Sequence, residues 1–132
     1  MLRWVSLFSI VMASQAFAEV DCDAAADKFV KSVPSGPMEP LGGKTMAEAL
    51  QDVDQRWSLT ASFYIGAVLV FTASPERKDV AENLLALDVL LDCWLPADDA
   101  GSESEKAAAK HFLELFPPER RQEIRTDAKA LL

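Results

Sequence analysis

The sequence predicts an all-α protein: a small single-domain helical bundle of four to five helices closed by one disulfide. Three observations predict it. Apolar residues recur at three- and four-residue steps through most of the chain. Serine, threonine, glycine and proline punctuate that periodicity where helices begin and end. Cys22 and Cys93 are the only cysteines, and both follow a leader that directs the chain to an oxidising compartment, where an isolated pair forms a disulfide.

The leader is residues 1–18. Arg3 lies near its start, an apolar run extends from Trp4 to Met12, and Ala16-Phe17-Ala18 supplies small residues at the −3 and −1 positions of a cleavage site. Cleavage between Ala18 and Glu19 leaves a helical domain over 19–132. Glu19, not cysteine, follows the cut, so no lipid anchor is expected and the product is periplasmic or secreted.

The first helix is read from Glu19 to Val33, with Cys22, Ala26, Phe29, Val30 and Val33 on one face, Asp21 or Asp23 as its cap and Pro34 as its stop. The segment from Pro34 to Gly43 is a loop by composition, and the most mobile or partner-contacting stretch expected. Thr45-Met46-Ala47-Glu48 matches a capping box. A second helix therefore starts at Met46 and carries Leu50, Val53, Trp57, Ala61, Tyr64, Val68 and Phe71 inward as far as the turn at Ser74. From Leu59 to Ala73 it has no charge, which marks a buried central helix. Fifteen residues are short for a membrane span. A β-strand over Tyr64–Phe71 is the alternative reading of this run. Ser62 and Gly66 form a small-x-x-x-small pair, read as tight packing inside the fold.

Ser74-Pro75-Glu76 restarts a helix from Pro75 to Leu95, with Val80, Leu84, Leu87, Leu91 and Trp94 in one stripe and Cys93 in the last turn. The disulfide then ties the first helix to the far end of the third. Ser102-Glu103-Ser104-Glu105 opens a fourth helix to about Phe116, with Ala108, Phe112 and Leu115 inward. Pro117-Pro118 ends it, and Glu119 to Leu132 forms a weaker fifth helix with Ile124, Ala128 and Leu131 inward.

The formal net charge is −8, and loss of the leader with Arg3 takes it to −9. Nucleic-acid binding needs a basic face, so that class is disfavoured, as are anionic membranes. A protein partner is expected. The densest acids, Asp88, Asp92, Asp98, Asp99, Glu103 and Glu105, are the candidate partner surface. They lack the spacing of a calcium loop. Asp88 and Asp92, one helical turn apart, with Glu103 offer paired carboxylates for an envelope-acting enzyme, the least favoured reading. His111 is the only histidine, and a triad or zinc site needs partners the chain does not supply. Gly42-Gly43-Lys44-Thr45 resembles the tail of a phosphate loop but has Glu39 where the first glycine belongs. No catalytic, cofactor-binding or metal residue is assigned.

Ala61-Ser62-Phe63-Tyr64-Ile65-Gly66, followed about 25 residues later by a helix ending in Cys93, resembles two groups of small exported bacterial helical proteins. They are the Rap1a/Tai-type immunity proteins, which protect the periplasm from secreted toxins, and the acid-stress chaperones of the HdeA/HdeB type. The resemblance implies a disulfide-stapled helical architecture and a non-enzymatic role, with no functional residue to carry over. The expected function is a periplasmic protein-interaction module, in its concrete form an immunity-type inhibitor of a secreted toxin. The alternative is a stress chaperone, whose 21 acids lose their charge at low pH and free the Trp57–Phe71 segment.

Overall fold

A computed structural model describes residues 22–96 and 102–132. The expected leader and Ala18–Glu19 cleavage site, and the acids Asp98 and Asp99, lie outside the described residues. The fold is all-α, and no β-strand forms among the described residues. Its elements are α1 (residues 22–31), α2 (Met46–Ala49), α3 (Arg56–Ala73), α4 (Lys78–Cys93), α5 (Glu103–Leu115) and α6 (Pro118–Leu131).

In α1, Ala25 and Phe29 turn inward, and Phe29 meets Phe63 of α3 edge-on at 5.2 Å between ring centroids. The helix ends before Pro34. The Ser32 hydroxyl donates to the Phe29 carbonyl at 2.6 Å, closing the last turn. The loop that follows is not loose. The Met38 amide donates to the Lys44 carbonyl at 3.0 Å, and the Gly43 amide to Met38 at 3.0 Å. Gly42 and Gly43 make this closure with φ of 68° and 81°, a region that favours glycine. Met38 and Leu41 pack on the core, which anchors the loop.

Thr45 opens α2 with the capping box the sequence predicts: its hydroxyl accepts from the Glu48 amide, and Glu48 accepts from the Thr45 amide. The single helix expected from Met46 to Ser74 is instead two. Asp52 takes the amide of Asp54 on its own carboxylate at 3.0 Å, a local bond that competes with the helical ladder. The chain unwinds there, and Val53, assigned to the buried face, is 62 % exposed. The chain then re-enters α3, whose inward stripe of Trp57, Ala61, Tyr64, Val68 and Phe71 keeps the predicted helical spacing. No described helix is long and apolar enough to cross a membrane.

Ser74 closes α3 rather than opening α4. Its amide donates to Val70 at 2.8 Å, and the Arg77 amide donates back to Ser74, so Pro75 and Glu76 are spent in the turn. The next helix starts at Lys78, three residues later than predicted. It packs along α3 with Leu84, Leu87, Leu90 and Leu91 fully buried. Cys93 in its last turn is joined to Cys22, with Cα atoms 6.1 Å apart, fixing α1 to the end of α4.

Ser102 caps α5 through the Glu105 amide at 3.2 Å. Phe112 is buried as predicted, but Ala109 and Phe116 complete the inward face, while Leu115 is 47 % exposed. The reason lies in the aromatic cluster they join. Phe112 meets Trp57 and Tyr64 edge-on at 5.5 and 5.7 Å, and Phe116 meets Tyr64 at 5.5 Å. Each such pair contributes roughly 1 kcal/mol beyond its buried area. Pro118 stands at the first position of α6, where its missing amide costs nothing.

Candidate functional site

Two of the acids singled out as a partner surface are buried. Asp88 is 3 % exposed and Glu105 1 % exposed, so neither presents its carboxylate to solvent. Asp88 lies in the apolar stripe of α4 and faces α6. Its Oδ1 accepts from Arg121 Nη2 at 2.8 Å and Nε at 3.0 Å, and its Oδ2 accepts from Arg125 Nε at 2.7 Å. Arg121 also donates to the Asp88 carbonyl at 2.9 Å and to Asp92 Oδ1 at 3.0 Å. Burial alone lowers the Arg121 pKa, but the charge of Asp88 and the hydrogen bond and charge of Asp92 outweigh it and raise it overall. This network is a staple between α4 and α6. Asp92 is its exposed end, and Glu103 is exposed on α5 beside Lys106. Asp88, Asp92 and Glu103 therefore do not converge as paired carboxylates on one cleft.

Glu105 has a different structural task. Its carboxylate crosses from α5 to the start of α3 and accepts from the amides of Trp57 at 3.2 Å and Ser58 at 3.1 Å. Gln55, at the N-cap position of α3, makes no side-chain cap. Glu105 thus supplies the cap from another helix, satisfying orphan amides and placing negative charge at the positive end of the helix dipole. Glu105→Ala is expected to lower unfolding stability by about 2 kcal/mol, because it leaves the buried Trp57 amide and the half-buried Ser58 amide without their acceptor. Glu105→Gln keeps one acceptor and is expected to lose about half as much. Urea denaturation of the three proteins checks this, and equal losses for Ala and Gln would sink the capping account.

Tyr64 is fully buried, and its hydroxyl has no hydrogen-bond partner among the described residues. Burial, assisted by the charge of Asp88, pushes its pKa up to about 12, against opposition from Arg121 and Arg125. It is the only tyrosine, so absorbance at 295 nm reads it alone. Below the unfolded value of about 10 both states keep the proton. Between there and about 12 the unfolded chain ionises while the folded chain does not. Stability therefore falls with rising pH by roughly 2 kcal/mol across that window. Tyr64→Phe is expected to remove this fall, and a native tyrosine titrating near 10 would contradict it.

The surface the structure does offer is on α3. The chargeless run from Leu59 to Ala73 is buried on one side only. Leu69 is 66 % and Val70 42 % exposed, and Ser62, Gly66 and Ala73 lie on the same open side. Beside them is a groove of about 740 Å³ between α3, the end of α1 and the start of α4. Phe63, Gly66, Ala67, Val70 and Val80 form its apolar floor, and Ser32, Arg77, Asp79 and Asn83 its polar rim. Arg77 and Asp79 are paired there at 2.6 Å. The Ser62–Gly66 pair is not a packing seam within the fold. A Cβ built on Gly66 meets no atom within 4 Å. A mid-helix glycine costs about 0.5–1 kcal/mol relative to alanine, and here no internal neighbour requires it. The signal was present in the sequence as an uncharged run with a small-residue notch, but periodicity does not say which side of such a helix stays uncovered.

His111 is exposed on α5, and no group of three or more candidate metal ligands occurs among the described residues. Comparisons with protein families, with curated proteins and with solved structures return no match.

Proposed function

We propose that this chain is a non-enzymatic protein-interaction module of the bacterial periplasm that engages its partner through the open face of α3. The observation that carries this reading is the pairing of an uncharged, exposed helix face with an adjacent apolar groove. Contiguous apolar surface of this kind marks interaction sites. The leader over residues 1–18 supports export. The resemblance of Ala61–Gly66 and the late Cys93 helix to Rap1a/Tai-type immunity proteins supplies a partner class, a toxin delivered into the periplasm. The net negative charge favours encounter with a basic protein. The test is capture from periplasmic extract by the native chain and by Leu69→Asp. A saturable toxin-like partner lost on that substitution supports the reading. Absence of any saturable partner, or equal capture by both proteins, counts against it.

One observation favours the chaperone reading as the alternative. Two buried carboxylates, Asp88 and Glu105, hold α6 and the start of α3 in place. Loss of these two contacts loosens the fold around the α3 face. Client aggregation at about pH 2–3, below the ordinary carboxylate range, is the measurement. Unchanged aggregation on adding the protein ends this reading.

A further inference from the structure

We propose that the groove between α1, α3 and α4 binds a free fatty acid, its chain on the floor and its carboxylate at Arg77. The inference goes beyond the protein-partner reading, because it concerns the groove and not the projecting face at Leu69. At about 740 Å³ the groove falls within the range of small-molecule sites, roughly 300–1,000 Å³. Its floor of Phe63, Gly66, Ala67, Val70 and Val80 offers no polar side-chain atom. A Cβ built on Gly66 meets nothing within 4 Å, so the glycine leaves a recess there. From Ser62 to Val70 the α3 wall runs about 12 Å at the helical rise. A long, narrow, apolar floor of this kind suits an unbranched aliphatic chain.

The hydrogen-bonding capacity of the rim selects the head group. Arg77 holds Asp79 through one edge of its guanidinium, Nε to Oδ1 at 3.2 Å and Nη2 to Oδ2 at 2.6 Å. The other edge, Nη1 with the second hydrogen of Nη2, bonds no group among the described residues. That fork matches a second carboxylate in bidentate form. On the same rim, Asn83 Oδ1 accepts from the Ser32 hydroxyl at 3.1 Å, which leaves the Asn83 amide hydrogens to donate. The unspent groups are therefore mostly donors, while both Asp79 oxygens and Asn83 Oδ1 already accept. This inventory suits a polar end that only accepts, and disfavours an ammonium. It also separates a fatty acid from a peptide. A peptide brings amide donors along its length, and for these the groove keeps only the hydroxyl oxygens of Ser32 and Ser62. An acyl chain brings none. The net charge of −8 opposes an anion at long range, but salt screens that field beyond about 8 Å. The groove is open on one side, so the chain is buried only in part and a dissociation constant on the order of 100 µM is expected.

Calorimetric titration of the disulfide-bonded chain with sodium decanoate and with decylammonium chloride tests this. One saturable decanoate site is expected, at least about tenfold tighter than decylammonium, the smaller end of what a charge-assisted hydrogen bond gives. Amide NMR shifts are expected at Gly66, Ala67, Val80 and Asn83. Arg77→Gln is expected to weaken decanoate at least about tenfold, and Asp79→Asn to tighten it about threefold by leaving Arg77 unopposed. Gly66→Leu fills the floor and is expected to weaken both amphiphiles alike. Unchanged helical circular dichroism confirms that each variant remains folded. No saturable binding up to about 5 mM, equal affinity for the two head groups, or shifts centred away from the groove overturns the inference. Tighter binding of tri-leucine than of decanoate overturns it in favour of a peptide. Leu69→Asp is expected to leave decanoate binding unchanged. The same variant abolishes protein capture under the proposed function, so either reading can fail while the other stands.

Discussion

Asp88→Asn is expected to lower the unfolding free energy by about 3–5 kcal/mol, the range for breaking a buried ion pair from one side. The Arg121 side chain is 9 % exposed and makes two bonds to the Asp88 carboxylate. Asparagine removes the charge, leaves one acceptor where two worked, and can turn an amide donor toward a guanidinium that only donates. Arg125, 27 % exposed, loses its carboxylate partner as well. The bonds from Arg121 to the Asp88 carbonyl and to Asp92 survive, but the carbonyl is neutral and Asp92 is 64 % exposed, so they balance the buried cation only in part. The measurement is urea denaturation at neutral pH, read as a shift of midpoint at constant slope. Arg121→Met alone is expected to cost less, since Arg125 still pairs with Asp88. The double variant Asp88→Leu with Arg121→Met is expected to recover much of the loss, because it buries no uncompensated charge between α4 and α6. A loss under about 1 kcal/mol for Asp88→Asn would mean that the network is solvated like a surface pair.

That network also shows where sequence legibility ends. The helices of the bundle were readable because their signals are local. The capping residues Thr45 and Ser102, the breaks near Pro34 and Pro117, and the apolar stripes of α3 and α4 each act within a few residues. The missed features act across the fold. Glu105 stands three residues after the helix-opening Ser102, and its amide does bond Ser102, but its carboxylate is committed to Trp57 and Ser58 on another helix. Asp88 looked like one acid in an acidic cluster. Its phase told otherwise: it lies between Leu84 and Leu91 on the stripe that faces the core. A charge at a core phase needs an opposite charge, and Arg121 and Arg125, one turn apart on a helix with a weak apolar face, were the available pair. The division of 46–73 into α2 and α3 was hidden for the same reason. Asp52 breaks the ladder locally, but the new helix start depends on a cap supplied by α5. The open face of α3 belongs to this class too, since hydropathy records what a helix is made of and not how many neighbours it has.

Replacing both cysteines, Cys22→Ser with Cys93→Ser, is expected to lower stability by about 4 kcal/mol on the chain-entropy account of a loop this long. The two cysteines are 71 positions apart, and the loop between them contains α2, α3 and nearly all of α4. Opening it returns conformational freedom to the unfolded chain without removing a packed side chain from the folded one. For a domain of ordinary stability, about 5–15 kcal/mol, that is a large share. Two outcomes are distinguishable by hydrogen exchange. If the disulfide acts on the unfolded state, every slowly exchanging amide in α3 and α4 is expected to lose protection by a similar factor, since all report global unfolding. If it merely pins α1, only amides of residues 22–31 lose protection, and the core is unchanged. The packing of α1 argues for the first. Phe29 is fully buried and stacks edge-on against Phe63, so α1 has its own hold on the core beyond the covalent bond at its end. Selective loss in α1 alone would show that this hold is too weak. The groove beside the α3 face would then lose its Ser32 edge whenever the disulfide is reduced.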